Sequence, residues 1–237
     1  MVPELIKTSE RDPDLSVIYI ADKDADLSVF SFSTTEFEYI RQQMAADKRN
    51  IHINSYFKWS YLIIPDAALP EHEKQEDLRI QVSRLYGQLK DLEHQELLVV
   101  DVSDQPAEVT ALLEGLILSH YQFIKHKADR EKQKHPLERV RVYSEGIGEK
   151  ALKELEVLMR AVYKARDLVN EPLSGLNAMQ LGREFEKMAD EAGAITAGKF
   201  LEYFTSYPWL HYDIAPMAFL EKADAYRGKG LPGSGFG

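Results

Sequence analysis

The chain has no cysteine among its 237 residues, which excludes a disulfide framework, a thiolate nucleophile and Cys-ligated zinc or iron-sulfur centres. Any metal site has to draw on histidine, carboxylates and other oxygen or nitrogen ligands. Positive charge is also scarce: 29 Lys and Arg stand against 39 Asp and Glu, a formal charge of −10. That balance disfavours a nucleic-acid groove built on bulk positive charge. No apolar run approaches the roughly 20 residues that span a bilayer. The residues after Met1, VPELIKTSERDPDL, lack the apolar core of a signal peptide. The expectation is a cytoplasmic protein with neither a membrane nor a nucleic acid as partner. What is present is enough for a buried core, since 44% of the residues are hydrophobic and 10% aromatic. The length suits one large or two modest domains.

Residues 15–23, LSVIYIADK, are β-branched and aromatic and end in a polar cluster, which predicts a strand. The acidic run Asp22, Asp24 and Asp26 sets carboxylates two apart but lacks the glycine and closing glutamate of a calcium loop, and reads as a solvated turn. Thr34 or Thr35 caps a predicted helix through Met44. HINSYFKW (52–59) and SYLIIP (60–65) come next as two strand-like runs joined by at most a tight turn. Leu78, Val82, Leu85, Leu89 and Leu92 alternate spacings of four and three, one buried helical stripe between Glu71 and Gln95, expected to pack on a sheet. ELLVVDVSD (96–104) is almost continuously apolar at its centre, as a strand covered on both faces should be, and is the candidate for the sheet centre. Pro106 starts another helix, with Val109, Leu112, Leu113, Leu116, Ile117 and Tyr121 at helical spacing. The charged tract KHKADREKQKHP (125–136) is a solvated loop, and LERVRVYSE (137–145) alternates as a strand. Strands alternating with helices imply an α/β layered domain over 1–146, a mixed sheet flanked by helices. A helix from Gly148 to about Val169, with Leu152, Leu155, Met159 and Val162 on one side, connects that domain to the remainder of the chain.

Asn170-Glu171-Pro172 ends that helix, because the residue before proline is pushed out of the α region. Asn177 caps a further helix, Met179 to Ala192, and Gly193 stands at its C′ position. The stretch ARDLVNEPLSGLNAMQLGREFEKMADEAG (165–193) resembles the entry into the catalytic domain of the leucine aminopeptidases, which begins with an A-R-[DN]-L-x-N-x-P signature. AITAGKFLEYF (194–204), PWLHYDIAPMAF (208–219) and YRGKG (226–230) are similar to that family's late helix, last strand and tail. LLEGLILSHYQFIKHK (112–127) is similar to a helix late in its N-terminal domain. The resemblance implies a dinuclear exopeptidase that removes N-terminal residues from peptides, uses two divalent ions (zinc or manganese) and assembles as a homohexamer. Two such ions would polarise the scissile carbonyl and lower the pKa of a bridging water.

In the family the ligands come from a G-K-x-x-T-x-D-type segment and an N-T-D-A-E-G-R segment, and neither occurs in residues 1–237. The two matching blocks abut at Gly193 and Ala194, where the family has a stretch comparable in size to this whole chain. The expectation is an N-terminal α/β domain (1–146), a connecting helix (147–170) and a truncated second α/β domain (171–237), with no metal ligands, no cofactor of its own and no peptidase activity. The alternatives are a non-catalytic domain that associates with itself or a partner, and a fragment with no function of its own.

Other constellations read more simply. His211 and Asp213 lie two apart on a strand, a spacing that metal sites use, but a hydrogen-bonded structural pair is the simpler reading. Glu184, Glu186, Asp190 and Glu191 form a solvated helix face. Gly228, Gly230 and Gly233 spell a dinucleotide fingerprint without the strand and helix it requires. Ser174 and Ser234 lack a nucleophile-elbow context, and Trp59 and Trp209 read as core.

Overall fold

The computed structural model describes residues 1–192 except 27–29, 31, 173 and 174. The chain divides into two compact units between Ala161 and Val162, inside the helix that comes after the sheet.

The first unit is built on six strands: β1 (Glu4–Lys7), β2 (Ser16–Ile20), β3 (Asn50–Ser55), β4 (Lys58–Ile63), β5 (Glu96–Asp101) and β6 (Arg139–Tyr143). Their order across the sheet is β1-β6-β5-β2-β4-β3. All neighbours run parallel except the β3–β4 hairpin, so the sheet is mixed and the fold is α/β. β2 and β5 occupy the middle. Ile18, Leu97, Leu98 and Val99 are almost wholly buried, as the continuous apolar run at 96–104 predicts. β1 is short, and only Leu5 in it is buried; among the described strands it pairs with β6 alone.

Helix α1 (Thr34–Ala45) is capped by Ser33, one residue before the expected threonines. Glu36 explains the choice: its amide donates to Ser33 Oγ (3.3 Å) and its carboxylate accepts from the Ser33 amide (2.8 Å), a reciprocal capping box. Ile40 of α1 packs with Ile51, Ile53, Leu62 and Phe30 in one apolar cluster. The hairpin turn is at Tyr56-Phe57, inside the run that the sequence suggests as one strand.

Helix α2 (Glu71–Asp91) buries Leu78, Val82, Leu85 and Leu89 as the spacing requires, with Leu92 outside its end and partly exposed. It packs against α3 (Pro106–His120) and more lightly on β4. A Cβ at Gly115 of α3 would stand 2.6 Å from Val82 Cγ1 and 2.7 Å from Arg79 Cα. Only glycine admits that approach of the two helices. The Arg79 guanidinium donates to Glu114 through two nitrogens, at 2.6 and 2.8 Å, and ties the same pair of helices at its rim. The charged tract after α3 contains one short helical turn, α4 (Arg130–Gln133). Helix α5 (Glu149–Asn170) buries Leu152, Leu155 and Met159, and Glu156 accepts a hydrogen bond from the Leu5 amide of β1 (2.6 Å).

In the second unit α5 stops at Asn170, two residues before Pro172, as the proline dictates. Asn177 caps α6 (Ala178–Ala192): its side chain accepts from the Gln180 amide (3.0 Å), and Gln180 Oε1 accepts from the Asn177 amide (2.8 Å).

Candidate functional site

His211 and Asp213 lie outside the described residues, as do Trp209, Ser174, Ser234, the glycines at 228, 230 and 233, and the junction at Gly193 and Ala194. The first unit carries a cluster of chemically able side chains at each end of its parallel strands.

At the carboxyl ends, where open α/β sheets bind ligands, Asp101 closes β5. Its Oδ2 accepts from Ser144 Oγ just beyond β6 (2.7 Å), and its Oδ1 lies 3.5 Å from the Gln105 amide. Burial pushes the Asp101 carboxyl up from its ordinary value, and the Ser144 hydrogen bond draws it partly back. Ser103 Oγ accepts from the Asp22 amide (2.8 Å) and so joins the ends of β5 and β2. Asp104 sits at φ 50°, and a Cβ at Gly146 would meet Pro106 Cγ at 2.5 Å and Asp104 Oδ1 at 2.8 Å, so the two loops touch backbone to side chain. Behind them Glu108, 3% exposed, pairs with Lys74 (3.3 Å). Burial raises the pKa of Glu108 and the lysine opposes the shift. Beside this rim an open cleft of about 760 Å³ is lined by Lys23, Asp24, Asp26, Phe37, Arg41 and Met44. Two members of the acidic run thus face one cleft with two cations. The Ser144 hydroxyl and the Asp22 and Gln105 amides find acceptors in this network, which ties the loops together, while Glu108 keeps one buried carboxylate oxygen, Oε2, without a hydrogen-bond partner.

At the amino ends, Tyr86 of α2 and His120 at the close of α3, both buried, form an aromatic group with the half-buried His135. Tyr86 Oη and His120 Nδ1 are 2.7 Å apart, and His135 Nδ1 stands 2.9 Å from the His120 carbonyl. Burial drives His120 down to about 3, helped by His135 and the cation of Lys134. Tyr86 is shifted upward by the same burial. In the neutral tautomer that carries its proton on Nε2, His120 accepts the phenol's hydrogen bond at Nδ1. This trio is not legible in the sequence, because its members are separated by 34 and 15 residues and follow no motif.

In the second unit Glu184 accepts from Lys164 and from Lys187 (2.8 Å). Hydrogen bonds from Lys164 and then Lys187 hold its carboxyl down at about 2. The helix face expected to be merely solvated therefore carries an ion-pair triad at that position. Among the described residues no three His, Asp or Glu side chains converge as metal ligands. The dinuclear centre implied by the resemblance finds no such set of ligands among the described residues. No described helix is long and apolar enough to cross a membrane.

No family model matches the chain. It is 35% identical over 91 residues to a probable cytosol aminopeptidase of Aquifex aeolicus (strain VF5), covering 38% of this chain and 18% of that protein. It is 31% identical over 146 residues to one from Sulfurihydrogenibium sp. (strain YO3AOP1), covering 57% of this chain and 28% of the relative. Among solved structures, a mutant of tomato leucine aminopeptidase superposes with a TM-score of 0.59 at 13% identity, over 80% of this chain and 42% of that one. The bottromycin maturation enzyme BotP in complex with Mn gives 0.53 at 19%, over 76% and 37%. The matched stretches thus span less than a third of these curated relatives. The chain is leucine-aminopeptidase-like in sequence over those stretches, and its fold is that of the superposed parts of the solved structures.

Proposed function

We propose that these 237 residues form a leucine-aminopeptidase-type polypeptide that carries the family's N-terminal α/β unit and connecting helix and does not itself hydrolyse peptides. The observation that carries this reading is in the sequence: the entry and exit blocks of the catalytic domain adjoin at Gly193 and Ala194, and neither ligand-bearing segment occurs anywhere in the chain. A dinuclear hydrolase needs several oxygen ligands held together and cationic groups at the developing oxyanion. The described side chains supply no such convergence. On this reading the chain needs no metal, and peptides are substrates only of relatives that hold the missing core. The cytosol aminopeptidases it resembles support a cytoplasmic address.

The test is release of the chromophore from a leucyl anilide by purified protein, with Mn²⁺ or Zn²⁺ added. The expected rate equals that of buffer with metal. Metal-dependent release that a chelator abolishes would refute the proposal.

A second reading, a non-catalytic domain that associates with copies of itself, is favoured by one observation. Two adjacent aromatic side chains, Tyr56 and Phe57, stand fully in solvent at the tip of the edge hairpin.

A further inference from the structure

β3 is the last strand in the sheet order, so one side of its backbone meets no described strand. The pairing with β4 fixes which groups face outward. The Ile64 amide donates to the Arg49 carbonyl (2.8 Å), and these two residues stand opposite each other in the continuation of the β3–β4 register. Hydrogen-bonded and non-bonded pairs alternate along an antiparallel ladder. Ile51, Ile53 and Ser55 therefore bond to β4, and Asn50, His52 and Asn54 direct their N–H and C=O groups away from the sheet. Natural edge strands are usually blunted by lysine, proline or a bulge. β3, NIHINS, has none of these.

The strip from Asn50 to Phe57 contains no Asp, Glu, Lys or Arg, in a chain that is 29% charged and carries a net charge of −10. Two copies repel over most of their surfaces, and least along this strip. At its end the hairpin departs from ordinary turn chemistry. Tyr56 takes φ 63° in the first loop position, where glycine is at ease, steadied by its amide donating to Asn54 Oδ1 (2.8 Å). Tyr56 and Phe57 are 92% and 101% exposed. The sequence thus holds a bulky residue in a strained conformation in order to present two aromatic rings to solvent, the residue class enriched at the centres of protein interfaces.

We propose that β3 and the Tyr56-Phe57 tip form a self-association surface on which a second copy of this chain pairs antiparallel about a twofold axis at His52. In that register His52 faces His52 of the second copy, and Asn50 faces Asn54 in both directions, as an isologous interface requires. Three outward pairs exchange roughly six backbone hydrogen bonds. The same register brings Tyr56 to Lys48 of the second copy and Phe57 to its Asp47 turn, next to exposed Ala45 and Ala46. It also brings the basic Lys48 end of each strand to the end where Ser55 holds Glu36 (3.0 Å) in the other. The two sheets become one continuous sheet with its hairpin tips packed across the seam. This inference rests on the self-association reading and is independent of the peptidase reading.

Sedimentation equilibrium of the whole chain from about 5 to 200 µM should show a reversible dimer. Tyr56→Gly/Phe57→Ser gives the turn its glycine and removes both rings. It should weaken the dimer by at least about tenfold while the thermal midpoint holds or rises. Because the chain lacks cysteine, His52→Cys provides a direct probe. Under mild oxidation it should form a disulfide-linked dimer much faster than Lys150→Cys, whose side chain stands in solvent on α5. A monomer across the whole range, a dimer indifferent to the double variant, or equal cross-linking of the two cysteine variants would each overturn the proposal. None of these results alters the anilide assay, so the two readings fail separately.

Discussion

Acid should unfold this protein earlier than its carboxylates alone require, and His120 is the main reason. The imidazole is 5% exposed, receives the Tyr86 hydroxyl at Nδ1 and has no carboxylate partner among the described residues. Its folded pKa of about 3 lies below the ordinary 6.5. The unfolded chain therefore binds a proton at His120 that the folded chain refuses. The contribution of His120 to stability is fully present above about pH 6.5 and is lost as pH falls from there toward 3, at about 1.4 kcal/mol per pH unit. Between pH 7.5 and 4.5 the loss is about 2.7 kcal/mol. His52, His94 and His135 are shifted the same way by burial and steepen the fall, so the wild-type curve alone does not isolate His120. The comparison with His120→Gln does, because the amide oxygen still accepts from Tyr86 and no longer titrates. Urea unfolding at pH 7.5, 6.5, 5.5 and 4.5 should show the wild-type midpoint falling about 1 M further than that of the variant over the acid range. Parallel curves would refute the reasoning, for they would mean that His120 takes up its proton inside the fold at no cost.

Gly115→Ala should lower stability by about 1–3 kcal/mol, measured by urea or thermal unfolding, since the new methyl overlaps Val82 and the Arg79 backbone; an unchanged midpoint would show that α2 and α3 separate freely. Lys164→Met should move the Glu184 titration, followed by carboxyl carbon NMR, upward from about 2 toward the ordinary carboxylate range, and a midpoint that stays put would assign the depression to Lys187 alone.

The elements most legible in the sequence are those whose burial leaves a period. The α2 stripe, the α3 spacing and the β5 run all come from apolar residues at fixed intervals. β1 leaves no such trace, because four residues with one buried side chain carry no period. The hairpin turn lies a few residues earlier than the sequence suggests, for a related reason. Tyrosine and phenylalanine favour strands by propensity, and only the fold reveals Tyr56 with positive φ. The cap of α1 falls to Ser33 rather than Thr34 or Thr35 because the capping box needs Glu36 three residues on. The likeness to aminopeptidases is legible in local motifs. The histidine cluster and the rim network are not, since crossovers between distant strands bring their members together.

The position of β1 has a consequence for how the chain comes together. Glu4 sits opposite Arg139 and Lys7 opposite Val142, so this strand finds its ladder among residues made far later. Until then β1 has no backbone partner in the described sheet. Closing so long a loop carries an entropic cost that grows only with the logarithm of its length, and the cost is met once, by β6 and by the Glu156 carboxylate that receives the Leu5 amide. The earliest of the six strands to be synthesised therefore has to wait, and the sheet is sealed by its oldest segment.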